Sequence, residues 1–333
     1  MKLGIDVFSL RYQGWDAFQL LDYAQQQGLD LVHFSDLGPF ERLDDGYLAE
    51  VKADADRRGL ELEAGMLSIC PTSAIYKSPD GKDAVQQVTE MLHTAQLLGS
   101  PVLRCVLGSS KDRVGELPLG VHMQNTIDTC RAVRSLAMEL GIKLAIENHA
   151  GDMQAWELRE LIERAGPEYV GACIDPGNAI WVHEDPLLTL EMLAPYVVTS
   201  HVRDSAVWPH ARGASVLWVA MGDGNVGIDH WAETYKQLCP DAPFTLEIIT
   251  GGAPKVLNYF DADYWIPYRN ARANEFARFH ELVRKGTPYT GTVVVVAPGD
   301  EVPDEYAGAR VAQQRYDLER SVAYCRQRLG VGE

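Results

Sequence analysis

The chain has 333 residues, 46% of them hydrophobic, and a formal charge of −17 from 30 Lys plus Arg against 47 Asp plus Glu. That charge repels phosphate backbones and anionic lipid, which disfavours nucleic-acid binding and membrane-surface attachment. Six scattered cysteines with no C-x-x-C pair suit buried reduced thiols, and the apolar stretch at the N-terminus is broken by Asp6, so a soluble cytoplasmic protein is expected.

The apolar runs come in a regular order. LGIDVFSL (3–10), LDLVHFSD (29–36), LELEAGMLSI (60–69) and PVLRCVLG (101–108) are followed by KLAIENH (143–149), YVGACIDPGN (169–178), YVVTSHVRD (196–204) and FTLEIIT (244–250). Their Val, Ile and Leu content predicts eight strands. Segments of helical period lie between them, most clearly 16–27, 83–98 and 119–140, and Gly28, Gly59, Gly99 and Gly141 mark helix ends. Eight strand–helix alternations predict an α/β fold, a (β/α)8 TIM barrel, with a doubly wound open sheet as the competitor. Residues 1–285 are assigned to the barrel, with 205–227 as an enlarged loop after the seventh strand. Residues 286–333 are a C-terminal extension packed on the barrel or on a partner subunit. Within it, TVVVV (292–296) is dense in β-branched residues and is expected to be covered by the barrel, a second copy or a small partner subunit.

In such a barrel the C-terminal strand ends converge on one face, where chemistry is placed. Four successive strands end on Glu147, Asp175, His201 and Glu247, spaced 28, 26 and 46 residues apart. Three carboxylates and an imidazole on one rim suit one divalent cation. Mn²⁺ is expected ahead of Mg²⁺, Co²⁺ or Zn²⁺, because oxygen predominates and no thiolate is offered. The alternative is a structural polar network. His149 is a candidate general acid or base. Arg203 either faces the substrate or pairs with Asp204 or a ligand carboxylate. Asn178 either meets a substrate hydroxyl or caps a helix. His33 and Arg104 are further rim candidates, each with a half-buried structural role as the alternative. Trp208, His210 and Trp218 would form an aromatic wall over a sugar or fill the insertion's own core.

Two signals are discounted. GDGNVG (222–227) matches G-x-G-x-x-G but lies late, before a helix, without the βαβ setting of a dinucleotide site. His183–Glu184 lacks the second His of a zincin helix, and Asp185–Pro186 reads as a helix start.

IENHAGD, CIDPGN, SHVRD and TLEIITG together resemble the xylose-isomerase-like barrel superfamily, which includes sugar isomerases and epimerases, inosose dehydratases and endonuclease-IV-type enzymes. The resemblance covers about residues 1–285. It implies that Glu147, Asp175, His201 and Glu247 bind the metal, and that Glu147 and Glu247 also move a proton beside a sugar carbonyl. Asn178 stands where the epimerases commonly carry His. That departure, with the E-N-H at 147–149, is similar to the catalytic subunits of metal-dependent deglycosidases, which cleave 3-oxo-glycosides by elimination. The implied partners are a small carbohydrate or glycoside, another copy of the chain and, in the deglycosidase branch, a small second subunit.

Overall fold

The computed structural model describes residues 1–291 and 301–332; TVVVV (292–296) lies outside the described residues. Eight strands form one parallel sheet: β1 (Leu3–Asp6), β2 (Leu31–Phe34), β3 (Glu61–Ser68), β4 (Val102–Val106), β5 (Lys143–Glu147), β6 (Val170–Ile174), β7 (Val197–Ser200) and, after an inserted hairpin, β10 (Phe244–Leu246). β10 pairs with β1, and a parallel bridge between Val202 and Leu246 joins the β7 side to β10. The (β/α)8 barrel is therefore closed. Most strand residues are buried, as expected where helices cover the outside and side chains fill the inside.

The intervening helices start and stop where local chemistry dictates. Asp16 and Asp83 cap Ala17–Gln26 and Ala84–Leu98, each in a reciprocal box with the glutamine three residues on. Gly99 ends the second of these at φ 70°, a left-handed conformation that a Cβ would penalise. The predicted helix at 119–140 divides at Val133 into Leu119–Ala132 and Arg134–Leu140. All six cysteines are buried and unpaired. Among the described residues, no helix is long and apolar enough to cross a membrane.

The insertion differs from the expected loop. β8 (Asp204–His210) and β9 (Gly213–Val219) form an antiparallel hairpin, and β11 (Lys255–Leu257) adds to β9. This three-stranded sheet has its own core of Val207, Val216 and Leu257 against Phe279 and Val283 of the helix Ala273–Lys285. That helix is therefore not the eighth member of the barrel ring. The position goes to Asp304–Tyr324, whose Leu318 and Val322, with Cys325, join the main barrel core. Its flanks meet both neighbours, through Tyr23 Oη donating to Glu319 (3.3 Å) and the Tyr324 hydroxyl bonding Asp229. Of the two placements expected for the extension, the described helix Asp304–Tyr324 takes the one on the barrel.

The Gly-rich stretch folds around a carboxylate. The buried side chain of Asp204 accepts N–H bonds from Gly222 (3.1 Å) and Gly224 (2.8 Å), and Gly227 then leads into the helix Ile228–Leu238. A Cβ on Gly224 would lie 2.2 Å from both Asp204 Oδ1 and the Ser205 carbonyl. Gly224→Ala is expected to destabilise the protein by about 1–3 kcal/mol, as overpacking does. A thermal melt unchanged from wild type would refute this role of the glycine.

Candidate active site

The rim of the barrel is built by strand ends, and each strand delivers its polar group where the sheet stops. Glu147 is the last residue of β5, and Asp175 follows β6. His201 follows β7, and Glu247 follows β10. Asn148 fixes two of these ends together: its amide donates to the Asp175 carbonyl (2.7 Å) and its oxygen accepts the Asp175 N–H (2.8 Å). One oxygen each from Glu147, Asp175 and Glu247 lie within 4.8 Å of one another. His201 Nδ1 stands 3.2 Å from both Glu147 Oε2 and Glu247 Oε2, yet it is a buried nitrogen without an aligned hydrogen-bond partner. The four expected ligands are thus brought together.

Positive charge balances the carboxylates. Arg104, rising from β4, donates from Nε to Glu147 Oε2 (2.6 Å). Arg203 reaches into the middle of the cluster. Its Nε lies 3.0 Å from Asp175 Oδ2, and its Nη2 bonds Asp175 and donates to Glu247 Oε2 (2.5 Å). A Cβ at residue 177 would collide with the Arg203 stem at 2.3 Å, so Gly177 clears its path. Burial alone would raise the Glu147 pKa, but Arg104 and His201 outweigh it and hold the group well below the ordinary carboxylate range. Burial opposes charging His201, yet Glu147, Glu247 and Asp6 push its pKa up to about 10.

This donor set fits a divalent cation. It offers three buried carboxylates and an imidazole nitrogen with no other partner. Cys173 lies beside Glu147 and His201, but burial raises its thiol pKa well above the usual value, so the set stays rich in oxygen and imidazole. Arg203 holds the same carboxylates that such an ion would use, so an ion entering here would compete with the guanidinium.

The remaining expected residues sort differently. His149 is half-buried, and its Nδ1 lies 2.6 Å from the Gly108 carbonyl. That contact assigns the proton to Nδ1 and leaves Nε2 as an acceptor. Burial lowers the pKa of this imidazole, favouring its neutral form. Asn178 donates to Glu147 Oε1 (2.8 Å), so it orients a carboxylate. Three of the candidate substrate contacts take their structural alternatives. His33 is fully buried below the rim, 3.3 Å from His201 Nε2 and 3.0 Å from Glu63. Arg104 is committed to Glu147. Trp208 packs with Ala206, Leu217 and Val219 on the far side of the hairpin, because alternate strand residues face opposite ways. His210 lies at the hairpin turn, accepting the Arg212 N–H. Trp218 is the indole that reaches the site, under the Arg203 guanidinium at 4.6 Å.

Asp6, at the end of β1, was not singled out. It is fully buried; Oδ1 accepts from Phe8 N and Ser35 Oγ, and Oδ2 lies 3.7 Å from His201 Nε2. The strand-end rule that found Glu147 would have found it too.

His183 and Glu184 are structural. His183 packs among Tyr264, Trp265, Tyr268 and Phe276, and burial lowers its pKa to about 3. Glu184 accepts the Ala155 N–H and the Thr189 hydroxyl, while Asp185 caps Pro186–Leu193. Burial raises the Glu184 pKa from 4.5 to about 8 in the folded protein. The folded state therefore holds this proton more tightly than the unfolded chain. Its contribution to stability is complete below pH 4.5 and declines as pH rises through 8. The Tm of Glu184→Gln is expected to gain on wild type between pH 5 and pH 8. A constant difference over that range would contradict the assignment.

A closed parallel barrel with carboxylates and an imidazole gathered at its C-terminal rim defines a class of barrel enzymes. Residues 11–265 match the family model described as a xylose isomerase-like TIM barrel, and the chain belongs to that family. No curated protein matches the chain. Among solved structures, a D-psicose 3-epimerase from Clostridium cellulolyticum H10, solved with D-tagatose, is 15% identical. The match covers 96% of this chain and 99% of that one, with a TM-score of 0.59. An L-ribulose 3-epimerase is 16% identical over 96% and 97% of the two chains, at a TM-score of 0.58. The IOLI protein, with a bound zinc atom, is 15% identical over 85% and 96%, also at 0.58.

Proposed function

We propose that the protein is a divalent-metal-dependent sugar isomerase or epimerase that abstracts a proton beside a sugar carbonyl. The observation that carries this reading is the convergence of Glu147, Asp175 and Glu247 oxygens within 4.8 Å, with His201 Nδ1 beside them. The epimerase and zinc-bound neighbours support it. Glu147, Asp175, His201 and Glu247 would hold the ion, with Mn²⁺ preferred for the donor set. Bound there, a divalent ion supplies Lewis-acid polarisation that acidifies a C–H next to a carbonyl.

The chain's own residues divide the proton work. Both oxygens of Glu147 are engaged, Oε1 by Asn178 and Oε2 by Arg104. Glu247 is engaged at Oε2 by Arg203 and is 7% exposed, against 0% for Glu147, Asp175 and His201. Glu247 Oε1 is thus one proton acceptor, and His149 Nε2, its tautomer set by Gly108, is the second. Two such groups allow removal on one face and return on another, which epimerises; return to the neighbouring carbon isomerises.

Elimination from a 3-oxo-glycoside shares the same first step and is the second reading, favoured by the E-N-H arrangement with His149 poised next to Glu147. Incubating the Mn²⁺-loaded protein with free ketoses and with 3-oxo-glucosides in deuterated water separates the two. Deuterium at a sugar carbon without bond cleavage is the expected result. Release of an aglycone would replace epimerisation by lyase chemistry, and neither outcome would overturn both.

A further inference from the structure

A large feature of the C-terminal face plays no part in the proton chemistry. A cavity of about 1100 Å³ opens there, walled by segments that follow β4, β5, β6 and β10. Pockets for drug-sized ligands span roughly 300–1,000 Å³, so this one exceeds what a single free sugar requires. Aromatic groups line it, including Trp156, Trp181, Tyr264 and Tyr268. Six charged residues at its wall, Lys111, Glu116, Glu160, Arg164, Asp263 and Arg269, are exposed and balance one another in sign.

Deeper in the wall, Arg113 is buried and paired with Glu157, and the second inner cation is Lys255. It is half-buried, and among the described residues no carboxylate forms an ion pair with it. Its Nζ lies 4.3 Å over the ring of Trp181. Burial lowers its pKa to about 8, which leaves it mainly protonated at neutral pH. Trp181 stacks on Trp218 with centroids 4.4 Å apart, and Trp218 in turn lies under Arg203. A cation–indole–indole–cation column therefore runs from the carboxylate cluster to the cavity. One end of the column is neutralised by Asp175 and Glu247; the other end, at Lys255, has no counter-charge.

We propose that the cavity receives an anionic group of the substrate, a carboxylate or phosphate carried beyond the reacting carbons, and that Lys255 holds it. This rests on the sugar-enzyme reading above and narrows its substrate class from neutral ketoses to acidic or phosphorylated ones. An ammonium serves either anion, since it acts as a point charge without the fork geometry of arginine. Trp181 and Trp218 provide an intrinsic fluorescence reporter.

The test measures binding of D-fructose, D-fructose 6-phosphate and D-fructuronate to wild type, Lys255→Met and Lys255→Arg, by calorimetry and tryptophan fluorescence. Wild type is expected to bind at least one charged ketose about tenfold or more tightly than fructose, the effect of one charge-assisted contact. The arm that responds identifies phosphate or carboxylate. In Lys255→Met the ratio falls to about one, and Lys255→Arg keeps most of it. A wild-type ratio near one for both anions, or a ratio that survives Lys255→Met, overturns the proposal. Deuterium exchange on the same samples keeps the two readings separate. Charge preference without exchange would remove the epimerase assignment and leave the anion site, and exchange without preference would remove only the anion site.

Discussion

Glu247→Gln is expected to slow deuterium exchange at the sugar carbon by about 10²–10⁴-fold, the range that a positioned acid or base contributes. The substitution keeps the shape of the side chain and its length from β10. It removes the charge at Oε2, which meets Arg203, and the proton-accepting capacity of Oε1. Because Glu247 is the more open of the two glutamates, its loss should leave the circular dichroism of the barrel intact. Exchange at the wild-type rate would dismiss Glu247 as a proton-moving group and shift that role to His149 alone.

Arg203→Met is expected to separate the folding role of the arginine from ion binding. In the presence of chelator, the variant leaves Asp175 and Glu247 buried without their guanidinium. Breaking a buried ion pair from one side costs about 3–5 kcal/mol, so the Tm should fall by roughly 4–7 °C. Added Mn²⁺ should then recover most of the loss, because a ligand that binds only the folded state stabilises it in proportion to its occupancy. Wild type should respond less to the same ion, since the ion must displace Arg203 from Asp175 and Glu247. Equal ion-induced shifts in the two proteins would show that Arg203 and the cation do not share a position.

The convergence of Glu147, Asp175, His201 and Glu247 was legible because barrel geometry converts a position in sequence into a position in space. A polar residue at the end of an apolar run lies on the rim wherever the run is a barrel strand, and four successive runs end in one. Arg203 was harder. Its place two residues after His201 left both a substrate and a carboxylate role open, and only the cleared path over Gly177 shows that it turns inward. Trp208 and Trp218 have the same residue type on two strands of one hairpin. Their different fates depend on pairing register, which no local pattern states. Which helix completes the barrel ring was not legible for a related reason. Ala273–Lys285 follows β10 in order and has a strong apolar stripe, but that stripe packs on the three-stranded sheet, whose existence rests on the distant pairing of β11 with β9.

The position of Asp304–Tyr324 between the first and last parts of the barrel also shapes how the molecule comes together. Gln314 Oε1 accepts the N–H of Tyr12, and the Arg326 guanidinium donates to the carbonyls of Gln27 and Gly28, contacts that span 302, 299 and 298 residues. Loops of that length close at an entropic cost that local helices never meet, and such distant contacts slow folding more than they affect final stability. Until this clasp engages, the seam between β10 and β1 lacks its outer cover and the apolar flank of the ring faces water. Sealing that seam is therefore expected to come late, and a chain in which it is still open would expose this apolar flank to aggregation.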